Sequence, residues 1–289
     1  MNYEGNIIRP PSEADSIILQ VTVGCSHNRC TFCGAYKDVQ FRIKSETETA
    51  TDLDFAARHC RRLHRVFLAD GDALILPQPR LVNLLALIGK KLPWVNRISL
   101  YANAKSIRQK TVAQLKELKE LGLDRIYMGL ETGHDPTLKK IRKGADSGQM
   151  IAAARSIRDA GLFLSVTVLL GIAGTEHSAV HAIATGQVLT AMAPRQIAAL
   201  TLMLLPGTEL YRQHVAGVFQ LPEPKRLLGE LRELVSNIQL DHVQFQANHA
   251  SNYLPINCRL ARDKDTVLTL IDQALAGKVP TVPESLRAL

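Results

Sequence analysis

The sequence predicts an α/β fold in which strands and helices alternate around a parallel sheet. Three observations carry this. Short apolar, β-branched runs recur along the chain, and glycines or polar residues recur at their ends. Segments with helical periodicity separate them. The stretches Glu120-Leu121-Gly122-Leu123 and Asp159-Ala160-Gly161-Leu162 repeat one pattern, a helix-stop glycine leading into a buried strand.

After a lead-in through Arg9-Pro10-Pro11, residues 17–23 form the first apolar run, closed by Gly24. The next strands are expected at 65–69, stopped by Asp70-Gly71-Asp72; at 97–102; at 125–130, ending in Glu131-Thr132-Gly133; at 163–170, ending at Gly171; and at 196–205, closed by Pro206-Gly207. Helices are expected at 47–63, 79–91, 111–121 and 149–160. In such folds chemistry gathers at the carboxyl ends of strands, and polar residues or glycines recur there throughout. From about residue 210 the pattern changes. A helix over 224–237 precedes a polar, aromatic stretch at 245–255 that suits a loop over a site, and an amphipathic helix over 264–276 follows. This divides the chain into a core over 10–210 and an extension over 211–289, a candidate substrate cap.

The 289 residues, 46% hydrophobic and 21% charged, suit a globular chain with a substantial core. No apolar run of about 18 residues marks a membrane span. Met1-Asn2-Tyr3-Glu4-Gly5 lacks the basic and apolar parts of a secretory signal, so the expected location is cytoplasmic. The net charge of +8 fits a solvated basic surface, an acidic small substrate, an acidic redox partner or nucleic acid. No block of like charge forms a dedicated nucleic-acid arm.

Three of the five cysteines, Cys25, Cys30 and Cys33, fall within nine residues; Cys60 and Cys258 are isolated. Closely spaced thiolates on one loop favour a soft metal or a cluster over disulfides. Three thiolates are one short of a closed site. Either His27, Cys60 or Cys258 completes a structural zinc or closed cluster, or the fourth position is left to an exchangeable small molecule. A cysteine cluster directly after a strand favours the open arrangement.

This motif, with Phe32 before its third cysteine and matching features at later strand ends, resembles the radical S-adenosylmethionine (SAM) superfamily. Within it, the likeness is to the group of oxygen-independent coproporphyrinogen oxidase and Elp3. It covers residues 10–210. The family's usual spacing is three then two intervening residues, whereas this chain has four then two, a slightly larger first loop. The resemblance implies a partial (β/α)6 TIM-like barrel with a C-terminal extension. It also implies a [4Fe–4S] cluster on Cys25, Cys30 and Cys33 whose fourth iron takes SAM, and a one-electron donor such as flavodoxin or ferredoxin.

Carried residue by residue, the likeness implies SAM contacts at Phe32, Gly71, Asp72, Tyr101, Asn103, Glu131, Lys143, Thr167 and Ile172. Glu131, a carboxylate ending an apolar strand, suits a ribose diol; for Lys143 a solvated basic helix end is the other reading. A radical SAM enzyme cleaves SAM to a 5′-deoxyadenosyl radical that takes hydrogen from substrate. Asn248, His249 and Tyr253, beside Ser251 and Asn252, are candidates for small-molecule substrate contact or proton transfer, against a capping loop with satisfied side chains. Two other functions stay open: a metal- or haem-binding protein on this scaffold without SAM turnover, and a radical SAM enzyme that modifies RNA.

Overall fold

A computed structural model describes residues 1–288. The chain forms two compact units, each assembled from several segments. The first holds residues 1–28, 35–128 and 155–164; the second holds 29–34, 129–154 and the chain from Ser165 onward.

The first unit contains β1 (Ile17–Gln20), β2 (Thr22–Val23), β3 (Arg42–Ile43), α1 (Glu46–His59), β4 (Arg65–Ala69), α2 (Gln78–Lys91), β5 (Arg97–Tyr101), α3 (Ala104–Arg108), α4 (Val112–Glu120) and most of β6 (Leu123–Glu131). Strands β1, β4, β5 and β6 lie side by side in that order and are all parallel. Val66, Phe67, Leu68 and Ala69 are all fully buried, as a central parallel strand covered on both faces requires. The run expected at 17–23 breaks after Gln20, and β2 turns aside to pair antiparallel with β3. Helix α2 buries Leu81, Leu84, Leu85 and Ile88, a stripe at helical spacing. Ser45 with Glu48 and Thr111 with Gln114 form capping boxes that fix where α1 and α4 begin. Helix α1 ends at His59 rather than running to 63, and Cys60 caps it.

The second unit contains the end of β6, α5 (Asp135–Lys140), the first turns of α6 (Ser147–Asp159), most of β7 (Phe163–Leu170), α7 (Gly174–Met192), β8 (Gln196–Thr201), α8 (Glu209–Val215), α9 (Pro224–Ser236), β9 (His242–Gln246), β10 (Asn257–Ala261) and α10 (Lys264–Leu275). β7, β8 and β9 are parallel neighbours, and β10 returns antiparallel to β9. Two expectations are corrected here, and one helix is new. The sixth strand stops at Thr201, not 205, and the 19-residue helix α7 carried no sequence assignment. The stretch read as a loop from residue 245 begins inside β9, where Phe245 is a fully buried core residue. Among the described residues no helix is long and apolar enough to cross a membrane.

Candidate functional site

In the first unit, the turns after β2 and β4 are tied together. Gly24 N donates to Asp70 Oδ2 at 3.0 Å, and Gly71 N donates to Gly24 O at 3.2 Å. A Cβ on Gly71 would stand 3.0 Å from both Cys25 Cβ and Tyr36 Cε2, so only glycine lets this turn approach the first cysteine. Asp72 is fully buried and saturated. Its Oδ2 accepts from Ser26 Oγ at 2.5 Å and Asn103 Nδ2 at 2.6 Å; its Oδ1 accepts from Ser106 Oγ at 2.6 Å and Asn103 N at 3.2 Å. Asn103 Oδ1 in turn caps α3 by accepting from Ser106 N at 2.8 Å. Burial pushes the Asp72 carboxyl above its ordinary range, and these hydrogen bonds oppose the rise.

The structure thus joins two residues expected at the SAM site, Asp72 and Asn103, and adds Ser26, the neighbour of Cys25. Asp72 spends its lone pairs on protein donors, which makes it a keystone of the turn. Asp70, also pushed up by burial, keeps Oδ1 without a hydrogen-bond partner among the described residues. Tyr101 packs edge-on to Phe67, with ring centroids 5.1 Å apart, and 5.9 Å from Tyr127. Burial, then the neighbouring Tyr127 and Glu13, hold its hydroxyl protonated far above the ordinary phenol range.

In the second unit, Phe32 and Ile172 come together. Both belong to an apolar cluster with Ile141, Leu202, Leu210 and Phe219. The backbone of the Phe32 segment is fixed on both sides: Thr31 N donates to Ile141 O at 3.0 Å, and Leu210 N donates to Thr31 O at 2.9 Å. Glu131 ends β6 with φ +64°, a left-handed conformation that costs a non-glycine residue about 1–2 kcal/mol. Its carboxylate lies 2.7 Å from Lys143 Nζ, and the two side chains are only 10% and 14% exposed. Burial alone would lower the Lys143 pKa, but Glu131, Cys30 and Cys33 outweigh it and hold the ammonium above its ordinary value.

Lys143 is therefore no solvated helix end. It is a buried cation in the field of the Cys30 and Cys33 side chains. Gly129 makes the space: a Cβ there would fall 2.2 Å from Glu131 Oε1 and 3.0 Å from Lys143 Nζ. Sequence reasoning missed Ser26 and Gly129. Their signals were adjacency to Cys25 and the same-face spacing of strand residues 129 and 131. Thr167 is half-buried on β7 opposite Ala198 of β8.

The C-terminal candidates are anchored by the protein itself. Ser251 Oγ accepts from Thr201 N at 3.2 Å, and Asn252 bonds Thr201 Oγ1 at 2.8 Å and Ala199 O at 2.9 Å. Tyr253 donates its hydroxyl proton to Glu284, and Arg287 stacks over its ring with Cζ 4.1 Å from the centroid. His249 Nδ1 accepts from Ser251 N at 3.1 Å, and burial lowers the imidazole pKa. Asn248 is exposed.

Among the described residues no group of three or more His, Cys, Asp or Glu side chains is placed to hold a single metal ion. The donor chemistry suits an iron–sulfur cluster, with three partly buried cysteines outside any disulfide and two of them in the field of a buried cation. The comparisons agree. The chain is 26% identical over 175 residues to the heme chaperone HemW of Bacillus subtilis (strain 168), covering 60% of this chain and 45% of that protein. It is 27% identical over 172 residues to 4′-phospho-dehydrooxetanocin synthase of Priestia megaterium, covering 54% of this chain and 23% of that protein. The chain thus spans less than half the length of either relative. Coproporphyrinogen III oxidase (HemN) of Escherichia coli, a radical SAM enzyme, superposes with a TM-score of 0.56 at 16% identity, over 76% of this chain and 51% of that one. This is a likeness of fold, in keeping with the α/β partial barrel that the resemblance implies. Residues 19–185 match the family described as the Radical SAM superfamily, whose members use a [4Fe–4S] cluster and SAM. With more than half of its length matched, the chain belongs to the radical SAM superfamily.

Proposed function

We propose that this chain is a cytoplasmic radical SAM enzyme that abstracts hydrogen from a small molecule. The observation that carries the reading is Lys143, buried beside Glu131 and in the field of Cys30 and Cys33 at the end of β6. Cys25, Cys30 and Cys33 would hold the [4Fe–4S] cluster. When bound, the cluster and SAM supply a one-electron reductive cleavage that yields methionine and a 5′-deoxyadenosyl radical, the species that removes a substrate hydrogen.

The protein's own residues do the rest by placement. The glycine at position 71 lets the Asp70-Gly71-Asp72 turn approach Cys25 closely, and Asp72 with Asn103 and Ser106 keeps that turn rigid. Phe32 and Ile172 offer an apolar surface suited to the adenine. Glu131, held by Lys143, presents a carboxylate suited to the ribose hydroxyls. Thr167 on β7 extends the set of SAM contacts. The electron comes from an acidic carrier such as flavodoxin or ferredoxin, which the net positive charge favours.

The test is anaerobic reconstitution with iron and sulfide, followed by dithionite and SAM. The expected result is about four irons per chain and formation of 5′-deoxyadenosine, both lost on replacing any of Cys25, Cys30 or Cys33 by alanine. Iron content and spectrum unchanged in those variants overturn the reading. The likeness to heme chaperones supports a second reading, haem carriage without SAM turnover. Saturable haem binding with no 5′-deoxyadenosine would select it. Co-purifying RNA whose binding falls steeply with salt would select an RNA substrate instead.

A further inference from the structure

We propose that His181 and Glu230 form a buried positioning pair that sets the turns after β6 and β7, and through them the SAM contacts at Glu131 and Ile172. This rests on the SAM site proposed above. The pair lies wholly inside the second unit, His181 on α7 and Glu230 on α9, with side chains 2% and 0% exposed and Nε2 and Oε1 3.0 Å apart.

Each member reaches one strand end. Glu230 Oε1 accepts from Gly171 N at 2.5 Å, the backbone donor next to Ile172, and its Oε2 accepts from Ser178 Oγ at 2.5 Å. His181 Nδ1 lies 2.7 Å from Thr132 Oγ1, the residue next to Glu131. Thr132 Oγ1 also accepts from His134 N at 2.9 Å, so the hydroxyl ties the imidazole to the backbone of the turn. Thr185, one turn along α7, accepts from Gly133 N at 2.9 Å and donates to His181 O at 2.6 Å.

Both turns also pack closely on the helices that carry the pair, α7 and α9. A Cβ on Gly133 would meet Ala184 O at 2.4 Å, and one on Gly171 would meet Leu227 Cδ2 at 2.9 Å. The turn next to Glu131 needs such a clamp, because Glu131 itself holds φ +64°. A fully buried carboxylate brings little net stability, since desolvation offsets its bonds. Its value here is geometric. Two loops that belong to different strands move as one piece.

The test uses the full chain carrying its cluster, with SAM affinity measured by the change in the cluster's spectrum and iron counted per chain. Thr132→Val and Glu230→Gln are expected to weaken SAM binding about five- to tenfold, the loss of one or two hydrogen bonds, while iron content stays at the wild-type value. Thr132→Ser, which keeps the hydroxyl, is expected to restore wild-type affinity. A folded Thr132→Val with wild-type affinity overturns the proposal, as does a Thr132→Ser that binds as weakly as Thr132→Val. If Glu230→Gln does not fold, the two Thr132 variants decide alone. Wild-type protein that takes up its cluster but binds no SAM overturns the SAM site and this inference together, whereas equal binding by all forms overturns this inference only.

Discussion

The Lys143 ammonium stands 2.7 Å from the Glu131 carboxylate, and neither side chain keeps more than a seventh of its surface in water. Lys143→Met strands a carboxylate away from solvent and is expected to cost about 3 kcal/mol. Glu131→Gln added to it is expected to recover part of that loss, because the double variant buries no lone charge. Urea denaturation of the four forms measures both.

Two glycine substitutions should move in opposite directions. Gly71→Ala puts a methyl group 3.0 Å from Cys25 Cβ and is expected to lower iron uptake on reconstitution. Gly89→Ala lies in the interior of α2 with nothing within 4 Å, and should raise stability by about 0.5–1 kcal/mol with iron uptake unchanged.

Asp72→Ala removes the acceptor shared by Ser26, Asn103 and Ser106. The expected loss is about 2–3 kcal/mol, the cost of buried donors left without an acceptor. Thermal denaturation checks it.

Acid should weaken the fold through His249. Burial lowers its pKa below the ordinary 6.5, so the folded form favours the neutral ring. That contribution is complete above the ordinary value and is lost as pH falls through the lowered one. His134, lowered first by burial and then by His177 and His181, acts in the same direction. His249→Gln is expected to flatten the decline in urea midpoint between about pH 7.5 and 5.5; a slope equal to wild type would exclude His249 as its source.

The parts legible in the sequence were those specified locally. The cysteine motif, the strands at 65–69 and 163–170, and the helix starts with capping residues depend on neighbours a few positions apart. Helix α7 was not legible because its buried side chains, from Ser178 and His181 through Thr185 to Met192, mix polar with apolar and leave no clean stripe. Hairpin β9–β10 was masked by the polar stretch between its strands. Asp72 and Asn103 were readable as polar strand-end residues, yet nothing local shows that they spend their hydrogen bonds on each other. The same is true of Thr132, His181 and Glu230, which only the tertiary fold assembles.

Strand β10 leaves one sheet margin open, and its side chains govern what can join there. Asn257, Arg259 and Ala261 are exposed along it, alternating with the half-buried Cys258 and the buried Leu260. A second chain adding a strand at this margin would have to accommodate the Arg259 guanidinium alongside its own backbone, where each layer repeats the same charge. The margin is also closed at its middle residue, where Arg259 N donates to Asp263 Oδ2 at 2.9 Å and Asp263 N donates to Arg259 O at 2.9 Å, so that backbone is already engaged before any strand could join.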